Sequence, residues 1–343
     1  MAVSKDLLEA KMSLSHKLLL AGVKAKVVGM ATVTRVAVAT KAARNNVHAV
    51  GVGRKLVNGK STQTRCVRLY VVQKLAPSAL SKRDRLPTRI DGIPTDVIES
   101  PSAFISITAC SSARHRRQRP VVAGISAAHR AVTAGTISCF CRSARPDDPD
   151  SAIYVLSNNH VFADVNQSAP GDPLLQPGPA DGGVTADRFA DLHRFVRIRL
   201  GGLQPNGVDA AIGRLRGGVR FRRLVCSVGS LTGTAQAVEG MIVRKHGRTT
   251  GLTRGIVTDE SYDALVGMDH SNPNVIALFE NQMRIEVVAP FPAFGLGGDS
   301  GSLIITGAGR RAVGLYFAGP ESGFYGIANH IQDVLNGLEI TLL

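Results

Sequence analysis

Apolar residues along this chain come in short bursts separated by polar, glycine- or proline-bearing gaps, and the two ends differ in rhythm from the middle. From residue 132 onward the runs predict strands at about 132–142, 153–156, 195–200, 208–215, 240–245, 255–260, 274–279, 284–288, 301–305 and 312–317. No helical period persists between them, and short strands at this spacing imply closed or sandwiched antiparallel sheets. The last stretch, 327–338, reads as an amphipathic helix. At the other end, 5–20 carries a helical pattern. A strand beginning near Val47, the hairpin signal Asn58-Gly59, a strand over 66–72, a short helix over 78–83 and a strand over 94–98 then outline a small α/β unit.

The division expected from these shifts is 1–46 as a basic N-terminal extension, 47–101 as the small α/β unit, 102–120 as a basic linker and 121–343 as the main β domain. Within 1–46, eight lysines and arginines face only Asp6 and Glu9. The apolar run 18–23 is too short for a membrane span and weak as a signal-peptide core. Arg114-His115-Arg116-Arg117-Gln118-Arg119 is the densest basic run and reads as a solvated surface segment.

Composition narrows the function. At 343 residues and 44% hydrophobic there is material for substantial cores, and 36 glycines with 16 prolines suit a turn-rich β protein. A net charge of +15 raises nucleic acid as a partner, but the chain has no Trp and only 5% aromatics for base stacking, so this is the lesser reading. The odd set Cys66, Cys110, Cys139, Cys141 and Cys226 lacks a disulfide framework's pairing, which points to reduced thiols and a cytoplasmic location. Cys139 and Cys141 read as two positions on one face of a strand rather than half of a metal site.

The chemistry concentrates in Gly295-Leu296-Gly297-Gly298-Asp299-Ser300-Gly301-Ser302-Leu303. Glycines there let the backbone approach a substrate and aim the amides of Gly298 and Ser300 at one point beside the Ser300 hydroxyl, as an acyl-transfer oxyanion hole requires. Taken alone, the string is also an ordinary turn sequence. Two other stretches answer it: the apolar run 154–156 leading through Ser157-Asn158-Asn159 to His160, and Asp209 opening the apolar run 210–212. His160 would act as base, Asp209 would orient it, and Ser300 would attack. His193, His246 and His270 sit in polar or turn contexts, and Asp164, Asp172 and Asp187 in loops, so each is a weaker candidate.

The order His160, Asp209, Ser300, together with Ser157-Asn158-Asn159-His160, Leu175-Gln176-Pro177-Gly178-Pro179, Gly247-Arg248-Thr249-Thr250-Gly251 and Gly298-Asp299-Ser300-Gly301-Ser302, resembles the trypsin-like (chymotrypsin-fold) serine peptidases, nearest the bacterial and plant narrow-leaf type group. The resemblance covers about two-thirds of the chain. It implies a mainly β protein with a chymotrypsin-like double β-barrel, His160 and Asp209 on the first barrel and Ser300 on the second. It also implies structural support of the oxyanion hole by Asp299, whose countercharge the sequence does not reveal. Peptide substrate would align along Tyr316, Phe317, Ala318 and Gly319, with Phe294 at the base of the primary pocket and Glu321 on a bordering loop. An apolar Phe294 favours a small or medium apolar residue before the scissile bond. The implied activity is a serine endopeptidase acting on proteins or peptides without metal or organic cofactor and without membrane attachment. A homo-oligomer stays open. The competing expectation is a catalytically silent scaffold of the same fold that binds protein or nucleic-acid partners through its basic regions.

Overall fold

An apolar run placed inside a sheet needs a strand on each edge to take its backbone hydrogen bonds, and the central strand Tyr154–Ser157 shows the solution. It lies between Cys139–Ser143 and Ala211–Leu215, with all four of its residues buried. The structure is a computed structural model that describes residues 3–20, 46–57, 59–81, 84–100, 103–105, 113–269, 272 and 274–343. The chain clusters into two units. One comprises Met1–Phe104, Arg199–Asn206 and Thr258–Arg284, the other Ile105–Ile198, Gly207–Val257 and Ile285–Leu343.

Most of the β structure falls into two systems. A seven-stranded sheet runs in the order Ile340–Leu342, Cys139–Ser143, Tyr154–Ser157, Ala211–Leu215, Arg188–Phe195, Pro173–Leu175, Ala128–His129. The second system passes from Ile276–Val287 through Tyr325–His330, Ala312–Gly319, Leu303–Thr306 and Ile242–Gly247 to Gly251–Gly267, which pairs back with the first strand and closes a six-stranded ring. The architecture is therefore mainly β and of the chymotrypsin-like, two-barrel kind. Val155, Leu156, Phe162, Phe189, Ile212 and Leu315 belong to one continuous apolar core, with the C-terminal helix Ile331–Leu338 contributing Ile331, Val334 and Leu338.

The pattern of apolar runs differs from the observed elements where long-range pairing overrides local signal. The segments 274–279 and 284–288, expected as two strands, form the single strand Ile276–Val287, and the strand expected at 255–260 extends over Gly251–Gly267. The final helix begins at Ile331, because Tyr325–His330 pairs with Gly314, Leu315, Tyr316 and Ala318 of the neighbouring strand. A strand expected at 195–200 is found instead at Arg188–Phe195, where Phe189, Ala190 and Leu192 are buried.

In the smaller unit, Val47–Val57 and Lys60–Val71 make the hairpin expected around Asn58-Gly59. Val47–Val57 also pairs with residues 262–264 on its other edge, and Lys60–Val71 pairs in parallel with Ile93–Glu99. The expected N-terminal helix is present as Lys5–Ser15, continued by a wider turn through Leu20. It is packed rather than exposed: Leu7, Ala10, Leu14, Leu18 and Leu19 join Val50, Val52, Val67 and Leu69 in one cluster. Lys11 is buried against Asp263 at 2.6 Å, and the Ser15 hydroxyl donates to the same carboxylate at 2.5 Å. Of the helix expected over 78–83, only the short turn Pro77–Ala79 forms among the described residues.

Cys66, Cys139, Cys141 and Cys226 are free thiols; Cys110 lies outside the described residues. Cys139 and Cys141 are both buried on one strand, and burial pushes the Cys139 thiol up to about 12. Among the described residues, no helix is long and apolar enough to cross a membrane.

Candidate active site

His160 sits in the one-turn helix Asn159–Phe162 that follows the strand Tyr154–Ser157, and the polar residues before it hold that turn in place. Asn158 Nδ2 donates to the Asp209 carbonyl at 2.8 Å, and Asn159 Nδ2 donates to Asn166 Oδ1 and the Val196 carbonyl, each at 2.8 Å. The Ser157 hydroxyl donates to the Thr136 carbonyl at 2.8 Å. Backbone carbonyls and Asn166 thus take the donors of this buried polar run, while Asn158 Oδ1 accepts no hydrogen bond among the described residues.

Asp209 comes from the approach to Ala211–Leu215. Its Oδ2 hydrogen-bonds His160 Nδ1, its Oδ1 accepts the His160 amide at 3.2 Å, and its own amide donates to Asn329 Oδ1 at 3.2 Å. Asp209 is fully buried and His160 is 4% exposed. With Nδ1 committed to a carboxylate, the neutral imidazole carries its lone pair on Nε2, and no group among the described residues hydrogen-bonds that atom.

Ser300 lies at the tip of the glycine loop. Gly298 at φ +89° and Gly301 at φ +95° take the left-handed conformation on either side of it. At Gly301 a side chain would also collide with the Thr136 carbonyl and the Ser157 hydroxyl. Neighbouring amides are consumed within the loop, Asp299 N donating to the Leu296 carbonyl at 3.0 Å and Gly301 N to the Tyr316 carbonyl at 2.9 Å. Those of Gly298 and Ser300 donate to no group among the described residues, as two oxyanion donors must before substrate arrives. The Ser300 hydroxyl donates to the Phe317 carbonyl at 3.1 Å rather than to His160.

The countercharge of Asp299, which sequence reasoning did not find, is Lys245. Its ammonium lies 3.1 Å from Asp299 Oδ2, and both side chains are fully buried. The same carboxylate accepts the amides of Thr249 at 2.8 Å, Thr250 at 3.1 Å and Leu296 at 3.0 Å, and the Thr250 hydroxyl at 2.7 Å. Burial opposes its charge, yet Lys245 and these donors outweigh burial and hold the Asp299 carboxyl below its ordinary value. Burial lowers the Lys245 ammonium, against the pull of Asp299. Lys245 also lies 5.8 Å and 5.6 Å from the ring centres of Phe294 and Tyr316. The phrase Gly247-Arg248-Thr249-Thr250-Gly251 thus acquires a physical role, wrapping the loop that carries Ser300. Thr249 Oγ1 donates to the Gly297 carbonyl, and Thr136 Oγ1 donates to the Gly298 carbonyl at 2.8 Å.

Tyr316, Phe317, Ala318 and Gly319 all lie on Ala312–Gly319 and are buried. That strand pairs with Leu303–Thr306 and Tyr325–His330, and also with the three-residue strand ending at Ile105. Phe294 is buried too, its ring edge-on to Tyr316 at 6.1 Å. A side chain on Gly295, Gly319 or Gly326 would meet the Tyr316 ring or hydroxyl, so three glycines make room for that one residue. Glu321 is exposed.

The remaining candidates are engaged elsewhere. His193 pairs with Asp148 at 2.8 Å, His246 with the Gly124 carbonyl at 2.9 Å, Asp172 with His129 at 3.5 Å and Asp187 with Arg117 at 3.0 Å. His270 lies outside the described residues. The basic run keeps Arg116 and Arg117 exposed, but its neighbours are pinned to the fold. Gln176 Oε1 accepts the Gln118 amide at 2.9 Å and Arg119 at 2.5 Å, its Nε2 donates to the Arg116 carbonyl at 3.0 Å, and His115 is buried. The pinning comes from Gln176, in the Leu175-Gln176-Pro177-Gly178-Pro179 phrase.

Compared with known proteins, the chain matches no family model and no curated protein. Solved structures similar to it include Thermobifida fusca Protease A, at 17% identity and TM-score 0.44 over 65% of this chain and 98% of that one. Nocardiopsis protease is similar at 18% identity and TM-score 0.44, over 65% and 98% of the two chains. A glutamic-acid-specific serine protease, described as using a histidine triad in substrate binding, is similar at 19% identity and TM-score 0.45, over 65% and 100%.

Proposed function

We propose that this chain is a serine endopeptidase in which Ser300 attacks the peptide carbonyl, His160 takes and returns the proton, and Asp209 holds the imidazole in the required tautomer. The observation that carries the reading is the buried His160–Asp209 pair, which leaves Nε2 without a protein partner, beside a serine loop whose two flanking amides have no acceptor. In the first step Ser300 turns from the Phe317 carbonyl toward Nε2, its Oγ bonds to the substrate carbonyl carbon, and the displaced electron pair settles on an oxygen facing the amides of Gly298 and Ser300. His160 then passes its proton to the leaving amine as the C–N bond breaks, and water repeats the sequence on the acyl-enzyme. The strand 316–319 aligns the substrate main chain. With Phe294 and Tyr316 filling the space between Gly295, Gly319 and Gly326, the preferred residue before the scissile bond is small and apolar.

The Ser300 hydroxyl resting on Phe317, in a site with Ser300 fully buried, favours a second reading, a catalytically silent scaffold of the same fold. A fluorophosphonate probe separates the two. The endopeptidase reading expects covalent labelling that Ser300→Ala abolishes and His160→Ala reduces by ~10³-fold or more, with peptide hydrolysis falling in parallel. A folded wild-type protein that neither labels nor cleaves a peptide library sinks it.

A further inference from the structure

The 3₁₀ turn Ala113–His115 lies upstream of every strand of the two-barrel unit, yet it grips the backbone behind the serine loop. Arg114 Nε donates to the Arg248 carbonyl at 2.6 Å, and its terminal nitrogen donates to the Thr249 carbonyl at 2.6 Å. His115 Nε2 lies 2.6 Å from the same Arg248 carbonyl. The Arg248 carbonyl belongs to the peptide group whose N–H is that of Thr249, and the Thr249 carbonyl to the one whose N–H is that of Thr250. Those two N–H groups are the ones that donate to Asp299 Oδ1, at 2.8 and 3.1 Å. A guanidinium and a carboxylate therefore face each other across two parallel peptide groups, each bonded to the cation through its oxygen and to the anion through its hydrogen.

Such an arrangement polarises both peptides in the direction that strengthens the bond at the other end. It also fixes the orientation of their planes, which a single hydrogen bond does not. The turn is itself anchored: the Arg114 carbonyl accepts the Ser126 amide at 3.1 Å, and Arg248 is clamped by Asp181 through Nε at 2.8 Å and a terminal nitrogen at 2.5 Å. Asp299 is the residue between the two oxyanion donors, so whatever sets its carboxylate sets the aim of the Gly298 and Ser300 amides.

We propose that Arg114, assisted by His115, is a positioning residue for the oxyanion loop: through the Arg248 and Thr249 peptide groups it fixes Asp299 and thereby the two amides that face the developing negative oxygen. The turn does from upstream what the glycine loop cannot do alone, since a loop of glycines has the freedom to lose the geometry as easily as to reach it. The inference rests on the endopeptidase reading for its catalytic meaning and on the hydrogen-bond geometry alone for its structural meaning.

The test compares wild type with Arg114→Ala and Arg114→Lys. For a small chromogenic peptide, Arg114→Ala should lower kcat by ~10- to 100-fold with KM changed less than about threefold. Affinity for a peptide boronate, which presents a tetrahedral oxyanion, should fall by the same factor. Arg114→Lys, able to reach one carbonyl but not both, should fall between the two. Independently of activity, hydrogen exchange of peptides covering 245–252 and 294–302 should quicken by ~10-fold or more in Arg114→Ala, with peptides covering 154–157 and 211–215 unchanged. Unchanged exchange in both loops overturns the proposal, even in a protein with no hydrolytic activity. Faster exchange with no labelling of wild-type Ser300 keeps the positioning geometry and removes the endopeptidase reading. If Arg114→Ala does not fold, Arg114→Lys carries the decision, and wild-type kcat and exchange in that variant overturn the proposal.

Discussion

Two aspartates are buried to the same depth in different units of this protein, and their surroundings drive them in opposite directions. Asp299, behind the serine, collects a lysine, three amides and a threonine hydroxyl on its two oxygens. Asp259, in the smaller unit, receives the Tyr70 hydroxyl at 2.6 Å and Arg68 at 3.4 Å, both on Oδ2, while its Oδ1 takes no hydrogen bond among the described residues. Burial wins at Asp259 and raises its carboxyl above the ordinary value despite Arg68, Arg284 and Tyr70. At Asp299 the donors win. Depth alone therefore does not decide whether a carboxylate keeps its charge; the number of donors that reach it does. The fully served one stands next to Ser300 in the chain, where its hydrogen bonds fix the glycine loop.

The contrast is breakable, and the largest expected effect is at Asp299. Asp299→Asn leaves Lys245 buried without a counterion, so stability should fall by ~3–5 kcal/mol in denaturant unfolding. Hydrolysis should fall ~10²- to 10³-fold as the amides of Gly298 and Ser300 lose their alignment. A variant of wild-type stability would show that the pair is not the anchor. Lys245→Met comes next, with about 2–3 kcal/mol lost, because the orphaned carboxylate keeps four of its five donors. Equal losses in the two variants would contradict that asymmetry.

Smaller in size but opposite in sign are the pH effects. Asp299, with its folded-state value depressed, contributes stability that is complete above the ordinary carboxylate range of ~4 and is lost as pH falls through the lower folded value. Asp259, with its value raised, makes the folded state bind more protons, so stability declines as pH climbs from about 4 through the raised value. Unfolding curves across pH should show the alkaline-side decline shrink in Asp259→Asn and persist in Lys245→Met. Smallest of all, Asp259→Asn should shift stability near neutral pH by no more than ~1 kcal/mol, since Arg68 retains the Arg54 and Thr258 carbonyls as acceptors. A loss as large as that of Asp299→Asn would erase the distinction.

How much of this was legible beforehand depends on how local each signal is. His160, Asp209 and Ser300 stood out because each borders an apolar strand or a glycine turn, features written in adjacent residues. Lys245 did not, since a lysine destined for full burial looks like any lysine at a strand end until its partner 54 residues away is known. Arg114 was read as part of a solvated run for the same reason: its acceptors are backbone carbonyls, which leave no trace in side-chain identity. The hairpin at Asn58-Gly59 followed from turn chemistry. The fusion of 274–288 into one strand did not, because the polar residues Glu280, Asn281 and Gln282 interrupt the apolar pattern while the strand runs on through them, with Asn281 at φ +56° and its amide donating to Asp263 Oδ1. The N-terminal helix was recognisable as a helix, but its burial was hidden by the basic stretch 1–46 to which it belongs, one of whose lysines, Lys11, proves to be an interior residue.

Lys11 also sets a clock. Its carboxylate partner lies 252 positions further along the chain, and the edge that Val47–Val57 offers to Asp263 and Ala264 stays open until the same strand is made. At ribosomal rates of ~5–20 residues per second, the helix waits on the order of 10 to 50 s for the strand that receives it. During that interval the hairpin Val47–Val71 presents an unpaired edge and the helix an unmatched cation. The smaller unit therefore stays incomplete until Thr258–Arg284 has been made.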